Sequence, residues 1–96
     1  MYNFVYLLRC AGDTIYCGWT NDICARLAAH KSGKGAKFTR SHKVEEVVYL
    51  EVLEDKSAAM RREAAIKRLT HAQKYELIRE FADRTAALLI EHDVFN

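Results

Sequence analysis

The sequence predicts an α/β domain of the α+β type: a three-stranded antiparallel sheet flanked by helices. Three observations carry this. Two β-rich runs surround a Gly-Asp turn near the N terminus, a third spans Val44 to Leu53, and capped helical segments lie between and after them. With 96 residues, half of them apolar and 29% charged, the chain has the length and composition of one ordinary globular core rather than of a fibrous or disordered chain.

Asn3 to Cys10 and Thr14 to Gly18 read as the first two strands, joined through Ala11-Gly12-Asp13. A three-residue loop from Cys10 to Thr14 pairs residues whose numbers sum to an even value, and that register puts Tyr6 and Tyr16 on one face. An odd sum would separate them. Thr20-Asn21-Asp22 offers N-caps for a helix from Ile23 to Lys31, with Ile23 and Leu27 as its core stripe. Arg26 and His30, four apart, share a face expected to lie off that stripe. Ser32-Gly33-Lys34-Gly35 ends this helix and opens a flexible basic loop.

Val44 to Leu53 is the strongest strand in the chain. Asp55 or Ser57 caps a helix expected from about Ala58 to Leu69, with Met60, Ala64 and Leu69 as core positions. Thr70-His71-Ala72-Gln73 is a capping-box pattern that starts another helix running to about Phe81, with Leu77, Ile78 and Phe81 as its apolar edge. Asp83 is placed as the cap of a last helix from Arg84 to His92. Residues 1–82 are read as the main domain and 83–96 as a helical C-terminal extension. Repeats and low-complexity tracts are absent from the sequence.

Composition also narrows function. The apolar runs are far too short to span a bilayer, and Met1 leads directly into Tyr2-Asn3-Phe4 without a signal-like basic and apolar region, so a cytosolic protein is expected. Cys10, Cys17 and Cys24 show no metal-ligand spacing and read as free thiols. The net charge of +2 is small, yet no Asp or Glu occurs from Ala25 to Lys43, where Arg26, Lys31, Lys34, Lys37, Arg40 and Lys43 all lie. Such a block suits either a solvated loop or a surface that tracks phosphates.

The motifs then meet a known family. Val5-Tyr6-Leu7 is followed nine residues on by Tyr16-Cys17-Gly18. These segments resemble the Gly-Ile-Tyr and Tyr-Ile-Gly segments for which the GIY-YIG nucleases are named. Arg26 and His30 match the family's helical Arg and the Tyr or His four residues after it. Glu63, in Arg61-Arg62-Glu63-Ala64-Ala65-Ile66-Lys67, matches the family's glutamate. The resemblance covers residues 2 to about 80, including the Gly33 to Arg40 loop. It points to small stand-alone bacterial members, similar to the nuclease module of the excision-repair incision subunit. There are departures: Val5 and Leu7 flank Tyr6, Trp19 follows Gly18, and the Asn that many relatives carry after the Glu has no clear match.

The resemblance implies the GIY-YIG fold and metal-dependent endonucleolytic cleavage of DNA, with structure-specific or repair-related cutting as the finer expectation. The implied catalytic set is Tyr6, Tyr16, Arg26, His30 and Glu63. Phosphodiester hydrolysis needs an activated water, stabilised charge on the phosphorus and help for the departing oxygen. A phenol titrates near ~10 in isolation, so a tyrosine acting as general base needs cations nearby. Arg26 offers a planar fork of donors suited to phosphate. Glu63 is the implied ligand of one Mg²⁺ or Mn²⁺ ion serving as Lewis acid. Lys31, Lys34, Lys37, Arg40 and Lys67 are the expected phosphate contacts, and His30 is a second candidate for proton transfer.

Each of these residues also has an ordinary structural explanation. Strand tyrosines commonly pack, Arg26 fits an exposed helix surface, and Glu63 with Lys67 makes an i,i+4 pair worth only ~0.3–0.5 kcal/mol. The alternative reading of the whole chain is therefore a non-catalytic nucleic-acid-binding module of the same fold.

Overall fold

A computed structural model describes residues 2–95. Its elements run β1 (Asn3–Cys10), β2 (Thr14–Thr20), α1 (Ile23–Lys31), α2 (Lys37–Ser41), β3 (Val44–Leu53), α3 (Lys56–Lys67), α4 (His71–Glu80) and α5 (Ala82–Glu91). The three strands form one antiparallel sheet in the order β2-β1-β3, so the first strand is central. Helices cover both of its faces, which explains why β1 reads as a continuous apolar run. Phe4, Tyr6, Leu8 and Cys10 pack with Ile23 and Leu27 of α1, Phe38 of α2, and Leu88 and Leu89 of α5. Val5 and Leu7 face the other layer, with Ala59 and Ile66 of α3 and Leu77 and Ile78 of α4.

Local signals set most element boundaries. Gly12 and Asp13 turn the first hairpin at φ of 78° and 55°, a left-handed region that glycine adopts freely and aspartate tolerates. Asp22 and Asp55 accept the amides of Ala25 and Ala58 at 3.1 and 2.7 Å, capping α1 and α3. Thr70 and Gln73 form the reciprocal capping box that starts α4.

Several expectations change. β2 continues to Thr20, so Trp19 lies within the strand opposite Val5, and the Lys56 ammonium sits 5.8 Å from its ring centroid. The basic loop contains the short helix α2, whose Ala36 N-cap has no side-chain bond and so carried no recognisable start signal. On α3, Met60 is 48% exposed and Ala64 is also exposed, while Ala59 and Ile66 are buried. The real stripe runs through Arg62, which a 2.8 Å ion pair to Glu51 holds half-buried, and this polar member masks the apolar period. Asp83 is not a cap but sits in the first turn of α5, where its charge suits the helix dipole.

β3 carries two register shifts against β1, with Val48 and Glu45 as the extra residues. They break simple alternation: Val47 packs in the first layer and Tyr49 in the second, though both are odd-numbered. The segment beyond residue 82 packs into the same core. Thr85 and Val94 are buried, and Thr85 Oγ1 accepts the Leu50 amide of β3 at 3.4 Å.

The burial pattern of α3 makes a direct prediction. Ile66→Ala is expected to lower unfolding stability by about 2–5 kcal/mol, whereas Met60→Ala should change it by no more than about 0.5 kcal/mol. Urea unfolding followed by circular dichroism measures both.

Candidate active site

The hairpin register decides the geometry of the first sheet face. Tyr6 pairs with Gly18 and Leu8 with Tyr16, sums of 24 in each case, so both tyrosines lie on the layer shared with α1 and α2. Their ring centroids are 6.4 Å apart. Gly18 is demanded here by space rather than by backbone angle. A Cβ on it would stand 2.5 Å from the Tyr6 hydroxyl, 2.7 Å from its Cζ and 3.2 Å from Cε2 of Tyr16. The Tyr6 ring thus crosses its strand neighbour through the gap a missing side chain leaves.

The far end of that phenol meets α1. Tyr6 Oη and His30 Nε2 are 2.8 Å apart, and His30 Nδ1 lies 2.8 Å from Thr39 Oγ1 of α2. All three residues are buried, and a Cβ at Gly35 would overlap the imidazole. His30 therefore does not lie off the stripe of α1; it completes the stripe after Ile23 and Leu27, because Tyr6 and Thr39 satisfy its nitrogens. Burial lowers its pKa, and the Arg26 charge lowers it further. Burial raises the Tyr6 pKa well above the ordinary phenol value, Tyr16 and Glu63 add to this, and Arg26 opposes it. Near neutral pH the pair is a protonated phenol and a neutral imidazole.

Tyr16 is placed differently. It is half-buried, its ring lies 5.0 Å from that of His30, and it stacks on Phe38 at 6.0 Å. Among the described residues its hydroxyl has no hydrogen-bond partner within the protein. Phe38 in turn stacks on His42 with centroids 4.2 Å apart and planes 4° from parallel.

Arg26 projects from α1 into solvent and lies beyond ion-pair distance of every carboxylate among the described residues. Glu63 comes from α3, in the opposite layer. Its carboxylate is 3.7 Å from Lys67 Nζ, its backbone carbonyl accepts the buried Cys17 thiol at 3.9 Å, and its charge is felt at Tyr6. Burial, with Glu63 second, pushes the Cys17 thiol up to about 11. Lys31, Lys34, Lys37 and Arg40 are all exposed and unpaired among the described residues, on α1, the following loop and α2. Lys67 stands apart from these four, beside Glu63. No group of three or more His, Cys, Asp or Glu side chains among the described residues could hold a metal ion. Sequence reasoning did not single out Thr39, Gly35 or Phe38, although the Gly33 to Arg40 loop that holds them was part of the family resemblance.

Residues 2–76 match the GIY-YIG catalytic domain. The chain belongs to the GIY-YIG family. It is 43% identical over 83 residues to a UPF0213 protein of Syntrophus aciditrophicus, covering 85% of this chain and 95% of that one. A UPF0213 protein of Clostridium perfringens is 46% identical over 76 residues, which are 79% of this chain and 82% of that protein. The solution structure of a UPF0213 protein from Bacillus halodurans, 34% identical, superposes with a TM-score of 0.55 over 85% of this chain and 87% of that one. A protein from E. faecalis, 36% identical, gives 0.59 over 84% and 86%. This GIY-YIG domain therefore has the three-stranded α+β architecture of its family, and membership implies nuclease-type chemistry. No helix among the described residues is long and apolar enough to cross a membrane.

The packing around Tyr6 and His30 can be tested at two positions. Gly18→Ala is expected to displace the Tyr6 ring and cost about 1–3 kcal/mol of stability, read by urea unfolding. For His30, a folded pKa below its ordinary 6.5 means that the unfolded chain binds the proton more tightly. Its contribution is present above about 6.5 and is lost as pH falls from there through the folded value. Unfolding free energies between pH 8 and pH 5 should fall less steeply for His30→Gln than for the wild type.

Proposed function

We propose that this GIY-YIG domain is a metal-dependent endonuclease that hydrolyses phosphodiester bonds in DNA. The observation that supports it most is the pair of phenols 6.4 Å apart on one sheet face, with the charges of Arg26 and Glu63 both felt at Tyr6. Two phenols, a guanidinium and a carboxylate, drawn from β1, β2, α1 and α3, are the residue types that phosphodiester hydrolysis calls for, and this supports the reading.

The residues divide the work by environment. Tyr16, whose hydroxyl has no protein partner among the described residues, is the group that takes or relays the proton of the attacking water. Tyr6, held by His30, orients that water. Arg26, free of carboxylates, presents its donors to the phosphate as negative charge builds. Lys31, Lys34, Lys37 and Arg40 hold the flanking backbone, contacts that position DNA without reading its sequence. Glu63 would hold one Mg²⁺ or Mn²⁺ ion, which supplies Lewis acidity toward the leaving oxygen when bound. A lone carboxylate suits a cation that keeps most of its water.

The same four unpaired cations also favour a second reading, a binding module that holds DNA without cutting it. One experiment separates the two. Purified protein is incubated with branched, flapped, nicked and linear DNA, with and without Mg²⁺ or Mn²⁺, beside Glu63→Ala. Wild-type cleavage that requires metal and drops at least ~100-fold in the variant supports the nuclease. Equal trace activity in both, with binding that weakens steeply as salt rises, supports the binder instead.

A further inference from the structure

The polar chain behind Tyr6 has a direction that can be worked out from donors and acceptors. Tyr6 Oη is 2.8 Å from His30 Nε2, His30 Nδ1 is 2.8 Å from Thr39 Oγ1, and Thr39 Oγ1 donates to the Ala36 carbonyl at 3.0 Å. A threonine hydroxyl has one proton, and a carbonyl oxygen can only accept. If Thr39 gave its proton to His30, two oxygens would face each other at 3.0 Å without a hydrogen between them. Its proton therefore goes to Ala36, its oxygen accepts Nδ1–H of His30, and Nε2 is left as the acceptor for the Tyr6 hydroxyl.

We infer that Thr39 is a positioning residue for the nuclease reaction, setting the tautomer of His30 so that Tyr6 points its proton inward and keeps its oxygen lone pairs for the site. This rests on the nuclease reading above. The buried imidazole then acts through Tyr6: His30 does not carry the proton of the attacking water, but decides whether Tyr6 meets that water as acceptor or as donor. Gly35 closes the arrangement, since any side chain there would push the ring off Thr39. Thr39 lies on α2 between Lys37 and Arg40, so the short helix that offers cations to DNA also fixes the phenol.

The substitution that isolates this role is Thr39→Val, which keeps the shape and removes the acceptor. A buried Nδ1–H without a partner is costly, so the proton is expected to move to Nε2 and the bond to Tyr6 to reverse. Nitrogen-15 NMR of the full chain reads the tautomer directly, with the His30 signals assigned by their loss in His30→Gln. Wild type should carry its proton on Nδ1, Thr39→Val on Nε2, and Thr39→Ser on Nδ1 again. In metal-dependent DNA cleavage, kcat of Thr39→Val should fall roughly tenfold, which is about 1.4 kcal/mol, with KM within about twofold of the wild type. Thr39→Ser should recover most of kcat. A wild-type proton on Nε2 overturns the inference, as does a Thr39→Val variant with an unchanged tautomer. A tautomer that switches while kcat stays level also overturns it. A wild type that cuts nothing while the tautomer pattern holds is the failure of the nuclease reading, and the NMR result keeps the two apart.

Discussion

One phenol lying across a glycine is the constraint from which the rest of this site follows. Tyr6 sits on the central strand, and its hydroxyl passes over Gly18 of the neighbouring strand to reach His30 of α1. His30 is held by Thr39 of α2 and roofed by Gly35. Two strands, two helices and a loop therefore meet at a single ring. Burying three polar side chains is tolerated because each finds a partner, and no buried side-chain nitrogen or oxygen among the described residues is left unsatisfied.

That arrangement gives two chemically identical side chains different roles. Tyr6 is buried, bonded and held protonated by its surroundings. Tyr16 is half-buried, stacked on Phe38 with His30 tilted beside it, and has an uncommitted hydroxyl among the described residues. The same environment-driven division separates the cations. Arg9 and Arg62 are tied to Glu46 and Glu51 at 2.6 and 2.8 Å, and Lys67 lies 3.7 Å from Glu63. An exposed pair such as Arg9–Glu46 contributes only about 0–1 kcal/mol. Arg26, Lys31, Lys34, Lys37 and Arg40 have no such partners among the described residues, and all lie on α1, α2 or the loop between them. The stretch from Ala25 to Lys43 thus carries its cations with no Asp or Glu among them.

Glu63 is the member that ties the second layer to this face. Its helix packs through Ala59 and Ile66 against the opposite side of the sheet, yet its charge reaches Tyr6. The Cys17 thiol donates to its backbone carbonyl, anchoring this turn of α3 to β2. Glu63 therefore sits on a helix that shares no core cluster with α1.

The amino-acid sequence by itself determined the strands, the starts of α1, α3 and α4, and the pairing of the hairpin. Caps such as Asp22, Asp55 and Thr70 act over three residues, and the Cys10 to Thr14 turn sets the even register, so these instructions are local and can be read in place. Family membership was legible for the same reason: motif order and spacing can be read without coordinates. Tertiary structure alone decided which polar residues would be buried. His30 looks like a surface histidine until Tyr6, 24 positions away, and Thr39 supply its partners. Arg62 hides the stripe of α3 because Glu51 neutralises it, and the bulges at Val48 and Glu45 send Val47 and Tyr49 to opposite layers. A polar or bulged position becomes favourable only when a distant group satisfies it, and no local pattern records which group that will be.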